Sequence, residues 1–111
     1  MKLPEDTVIA QEKLVRYLLL PREEADKSKF LKAAGYTLAQ WPLLERDIRQ
    51  VLRTHEAKLT QTSAFGTLYE IRASWQSPNG RRLAVITVWI RLAESGQVRF
   101  VTLYPDKGVG Q

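Results

Sequence analysis

The chain of 111 residues has no cysteine, one histidine and one methionine. The missing cysteines exclude disulfides and thiolate metal sites, and they suit a reducing, cytoplasmic setting. A single histidine removes every mechanism that needs two imidazoles and every metal site built on paired histidines. Long apolar runs are missing as well. No segment approaches the roughly 20 apolar residues that cross a bilayer. The start, MKLPEDTVIAQEK, carries acidic residues where a signal peptide would be apolar. No P-loop, G-x-G-x-x-G or G-x-S-x-G occurs, so nucleotide-cofactor enzymes and hydrolytic triads drop out. Neither a membrane, a metal nor a cofactor is expected.

Acidic residues are scarce in the second half. Between Phe65 and Pro105 stand Arg72, Arg81, Arg82, Arg91 and Arg99, no Lys, and only Glu70 and Glu94. The whole chain has 17 basic against 12 acidic residues, a net charge of +5. The planar fork of Arg matches phosphate oxygens bidentately. An anionic partner is therefore favoured, nucleic acid first and an acidic protein second, with plain solubility as the other explanation of the charge.

What is present fits one domain. With 44% hydrophobic residues and three Trp, the chain can bury a core. Helical spacing over Gln11–Leu20, with Pro21 as a stop, is followed by a charged link, Arg22 to Ala25. Lys27–Ala34 is the second helix, and Gly35 sits where a left-handed C-cap belongs. Thr37 and Gln40 have capping-box spacing for a third helix, although Pro42 moves its regular start towards Trp41. It runs through Leu44, Ile48, Val51 and Leu52 to about Arg53.

A short strand is read over Ala57–Ser63. Two long β runs then flank Ser77-Pro78-Asn79-Gly80, and a third runs from Val98 to Tyr104. The architecture is α+β, with about three N-terminal helices on an antiparallel sheet of three or four strands. Residues 1–105 form the domain and 106–111 a loose tail.

Alternation along the strands gives each run two rows. Tyr69, Ile71, Ala73 and Trp75 form one apolar row; Ala84, Ile86, Val88 and Ile90 form another. Pairing Gln76 with Arg81 sets Glu70 opposite Thr87 and Arg72 opposite Val85, which puts both apolar rows on one face, with Tyr69, Ile71, Ile86 and Val88 buried. The other face would then carry Glu70, Arg72, Thr87, Trp89 and Arg91, joined by Thr102 and Tyr104, as a platform for a polar ligand. Bases can stack on rings such as Trp89 and Tyr104. Leu83, Val85 and Phe100 share that face, so a second buried layer is the competing reading. Lys27, Lys29 and Lys32 read either as a solvated helix face or as lysines reaching to a phosphate. His55, just past a predicted helix end, reads as a capping or surface residue.

The ordered set Lys27-Ser28-Lys29-Phe30-Leu31…Ala34-Gly35-Tyr36, Trp41 with Leu44, Phe65-Gly66…Tyr69-Glu70-Ile71, Pro78-Asn79-Gly80-Arg81, Thr87-Val88-Trp89-Ile90 and Arg99 to Pro105 resembles a bacterial domain-of-unknown-function family, number 6883. The resemblance spans Leu3 to Pro105. Members are small stand-alone proteins, common in cyanobacteria, or C-terminal domains of larger toxin-like or phage-like proteins, and stand-alone members tend to sit beside a short partner gene. The layout is similar to that of the small metal-independent ribonucleases that include barnase, RelE and colicins D and E5. One departure stands out: where relatives often carry His-Lys, this chain has Asp26-Lys27.

The resemblance implies the toxin component of a toxin–antitoxin or effector–immunity pair, acting as a metal-independent endoribonuclease without cofactor. Its partners would be RNA and a small acidic antitoxin or immunity protein. Lys27 fits the motif lysine, to stabilise the pentavalent oxyanion. Arg72 with Arg91 or Arg81 would clamp the phosphate, and Glu70 would be the base. Thr87, Thr102 and Tyr104 would be hydrogen-bond partners, with Lys29 and Trp89 completing the nucleic-acid contacts. The alternatives are a non-catalytic module that docks an acidic protein and a nucleic-acid binder without cleavage.

Overall fold

The computed structural model describes residues 1–19 and 28–107. Helical segments precede a four-stranded antiparallel sheet of order β1-β2-β3-β4, the expected α+β arrangement. The strands are β1 (Lys58–Thr62), β2 (Gly66–Gln76), β3 (Arg82–Leu92) and β4 (Val98–Pro105). No described helix is long and apolar enough to cross a membrane. The expected stop at Pro21, the charged link after it and Lys27 lie outside the described residues.

The first helix is not a regular α-helix. Lys13–Leu18 is wound as a π-helix, closed by Leu19 N–H donating to Leu14 O at 2.9 Å. Its Leu14 and Leu18 and the C-cap Leu19 are buried in the core. Helix α1 is Ser28–Ala33, and Gly35 adopts the left-handed φ of 96° that the C-cap required. Thr37 makes no side-chain cap; a 3-10 turn, Leu38–Gln40, leads directly into α2, Trp41–Thr54, with Pro42 in its first turn. On α2, Leu44, Ile48, Val51 and Leu52 form one buried stripe, and its arginines face outwards. His55 is the C-cap of α2: its backbone N–H donates to Val51 O at 3.0 Å, and Nδ1 lies 2.7 Å from Thr54 Oγ1.

The central hairpin corrects the expected register. Gln76 pairs with Arg82, not Arg81, so Glu70 lies opposite Val88 and Arg72 opposite Ile86. The cause is the turn. Ser77 N–H and Oγ both donate to Arg81 O, at 2.8 and 2.9 Å, around a left-handed Gly80 with φ 87°. Five residues, 77–81, are thus spent between the strands, as when a type I turn is followed by a left-handed glycine. One added residue inverts every side chain of β3 relative to β2.

The two apolar rows therefore lie on opposite faces. Tyr69, Ile71 and Ala73 are buried on the helix side with Leu83, Val85, Thr87 and Trp89, and with Phe100 and Leu103 of β4. Burial favours this choice because Leu83, Trp89 and Phe100 present more apolar area than Ala84, Val88 and Ile90. Trp89 and Phe100 pack edge to face with ring centroids 5.1 Å apart. Thr87 is tolerated in this layer because its hydroxyl is satisfied: it donates to Ile71 O at 3.0 Å and accepts from Trp89 Nε1 at 2.8 Å.

Candidate functional site

The face of the sheet turned away from the helices is the candidate site. Its floor is the aliphatic row Ala84, Ile86, Val88 and Ile90 on β3. Polar residues stand on both sides of that floor: Lys58 on β1, Glu70 and Arg72 on β2, and Arg99, Thr102 and Tyr104 on β4. Across the strands, Lys58, Glu70, Val88 and Thr102 form one row, and Arg72, Ile86 and Tyr104 the next. Adjacent rows bring their side chains within reach of one another.

Two contacts organise this cluster. The Tyr104 hydroxyl donates to Glu70 Oε2 at 3.3 Å, spanning the width of β3. Arg72 Nε lies 3.2 Å from Asp106 Oδ2. The Arg72 side chain is 69% exposed, whereas that of Asp106 is 2% exposed. Partial burial pushes the Tyr104 phenol above its ordinary pKa, the charge and hydrogen bond of Glu70 push the same way, and Arg72 opposes them. Tyr104 thus stays a protonated donor. The cluster offers a carboxylate to accept a proton, a hydroxyl to donate a hydrogen bond and a guanidinium to bind an anion. Among the described residues, no group of three or more His, Cys, Asp or Glu is placed to hold a metal ion.

Of the residues singled out in the sequence, Glu70, Arg72, Thr102 and Tyr104 share this face. Thr87 and Trp89 do not. Both are fully buried on the helix side, because the register moved them there, and no nucleic acid can reach them. Arg91 also points to the helix side, at the far end of β3, where Nη1 lies 3.5 Å from Gly96 O. It cannot share a phosphate with Arg72. Arg81 is exposed in the hairpin turn, beyond the paired residues, and Lys29 is exposed on α1 behind the sheet. Lys27 lies outside the described residues.

Asp106 falls in the expected loose tail, yet it is buried and its N–H donates to Ala84 O at 3.0 Å. The signal was its place two residues after Tyr104, on the same row of a strand that runs through Pro105.

The fold is similar to that of a solved chain from a contact-dependent growth inhibition toxin–immunity protein complex of Klebsiella pneumoniae 342. The TM-score is 0.69 at 16% identity, covering 93% of this chain and 96% of that one. At that identity the likeness is one of fold. No curated protein matches the chain. The model of the family described as "Domain of unknown function (DUF6883)" matches residues 2–107, nearly the whole chain, and the protein belongs to that family.

Proposed function

We propose that the chain is the toxin of a toxin–immunity pair and cleaves RNA on the outer face of its sheet without a metal. The observation that carries this reading is the juxtaposition of Glu70, Tyr104 and Arg72 on one open face. The fold likeness to a chain of a toxin–immunity complex supports the biological setting.

In this mechanism Arg72, anchored through Nε by Asp106, presents its two Nη groups to a phosphodiester. Glu70 accepts the proton of the ribose 2′-hydroxyl, whose oxygen attacks phosphorus. The P–O5′ bond breaks, leaving a 2′,3′-cyclic phosphate, and the departing 5′-oxygen takes a proton from solvent. Glu70 then returns its own proton to solvent. Tyr104 and Thr102 orient Glu70 and the sugar, and Arg72 balances the charge that builds on the phosphoryl oxygens. Lys58 and Arg99 border the face and draw the strand towards it.

Incubating the protein with single-stranded RNA in EDTA tests this directly. Cyclic-phosphate ends should appear with the native protein and fall by about 10²–10³ in Arg72→Ala and Glu70→Gln. Absence of cleavage by native protein overturns the enzymatic reading.

One feature favours a second reading. Ala84, Val88 and Ile90 are half-buried along the floor, with Ile86 buried between them, and such a partly covered apolar strip suits a protein-docking surface. Under this reading the face binds a partner protein and has no chemistry, so the native protein would be harmless when expressed without that partner.

A further inference from the structure

Helix α2 carries Arg46, Arg49 and Arg53 on the side away from its buried stripe. Their spacing of three and four residues stacks them on one helical face. With Gln50 and Glu5 they line an open cleft of about 360 Å³. Arg49 builds one wall: its Nη1 donates to the carbonyls of Glu5 and Thr7, each at 3.0 Å, which lays the N-terminal segment along the helix. Lys2 Nζ donates to Arg53 O at 3.2 Å, which ties the start of the chain to the last turn of α2. The Arg46 and Arg53 side chains are 68% and 65% exposed. Asp47 lies 3.4 Å from Arg46, but its other carboxylate oxygen accepts from Tyr36. Three guanidiniums thus meet two carboxylates, Glu5 in the lining and Asp47 beside it, an excess of one positive charge.

We propose that this cleft is a second binding site, one that takes carboxylate side chains of an acidic partner protein. Glu5 displays the recognition in miniature: its Oε1 accepts from Arg53 Nε at 2.8 Å, while its side chain remains 68% exposed. A partner carboxylate can displace it or settle beside it on Arg46. The lining favours protein over RNA, because single-stranded nucleic acid is held by aromatic stacking platforms together with cations, and none of the five lining residues is aromatic. The site lies behind the sheet, on the opposite side from Glu70, Arg72 and Tyr104. A partner held here leaves the outer face open, so the inference is independent of what that face does.

Fluorescence anisotropy with a labelled decaglutamate peptide and a labelled single-stranded RNA, both at low salt, tests the site without reading cleavage. Arg46→Ala with Arg53→Ala should weaken peptide binding about tenfold, since hydrogen bonds to charged groups are the strong ones. Glu5→Gln, which removes the internal competitor, should strengthen it. Arg16→Ala with Lys32→Ala removes the same charge from exposed positions elsewhere and should leave most of the affinity. RNA affinity should be nearly unchanged by the Arg46 and Arg53 substitutions. The proposal is overturned if native protein fails to bind the peptide, if Glu5→Gln does not tighten binding, or if both double variants weaken it equally. A loss of RNA binding with peptide binding intact would assign the cleft to nucleic acid and overturn it too.

Discussion

Tyr104 on β4 reaches over β3 to Glu70 on β2, its hydroxyl donating to the carboxylate across 3.3 Å. The two residues are 34 apart in sequence and meet diagonally: Ile86 aligns Tyr104 with Arg72, one row from Glu70, and the long phenol spans the step. Under the proposed ribonuclease mechanism, in which Glu70 is the base and Tyr104 orients it, Tyr104→Phe should slow RNA cleavage by about tenfold, less than the loss in Glu70→Gln. Single-turnover cleavage of a short RNA checks the ranking. Equal losses in the two variants would give Tyr104 a direct part in the proton transfer.

The buried pair Thr87 and Trp89 should behave as structure. In Thr87→Val the shape is kept, but the indole N–H and the Ile71 carbonyl lose their partner. A buried polar group left unsatisfied costs about 1–3 kcal/mol, and Trp89→Ala should cost about 3–5 kcal/mol through the cavity it leaves. Urea denaturation measures both. RNA affinity of the folded Thr87→Val protein should equal that of the native protein, which a contact residue would not allow.

Alkaline pH should expose the role of Tyr36. Burial foremost, then its hydrogen bond to Asp47, raises the phenol well above its ordinary pKa, against the smaller opposing effect of the Trp75 indole. A group that holds its proton more tightly when folded gives stability that is complete below the unfolded pKa, about 10, and is lost as pH rises above it. Stability to urea should therefore be flat from pH 7 to 9 and fall by pH 11. Tyr36→Phe should start lower, since Asp47 and Trp75 lose a shared partner, and should fall less steeply over the same range.

Two glycines with similar φ should respond differently to alanine. A Cβ at Gly35 would lie 2.9 Å from Asn79 N and 3.2 Å from Pro78 Cβ, because the hairpin turn packs on the end of α1. Asn79 Nδ2 donates to Ala33 O, and Asn79 N–H to Ala34 O at 3.3 Å. A Cβ at Gly80 would meet nothing within 4 Å. Gly80→Ala should cost only the ~1 kcal/mol of a left-handed alanine, and Gly35→Ala about 2 kcal/mol more, as overpacking adds to it. Thermal denaturation of the two variants resolves the difference.

The sequence by itself determined the elements. The stripe from Leu44 to Leu52 could bury only as a helix, and β-branched runs broken by Pro78-Asn79-Gly80 could pair only as a hairpin, so the α+β class followed from local periodicity. Which rows shared a face was decided by tertiary structure, because a four-residue and a five-residue turn satisfy the same Ser-Pro-Asn-Gly-Arg stretch locally yet invert β3. The balance was set by what the helices could cover: the layer holding Leu83, Trp89 and Phe100 was buried, carrying Thr87 with it. That same choice sent Ile86 and Val88 to the outer face beside Glu70 and Arg72. The place of Asp106 two residues after Tyr104 set its row in the sequence, but its burial depends on β4 running alongside β3 as far as Ala84, which the tertiary structure decided.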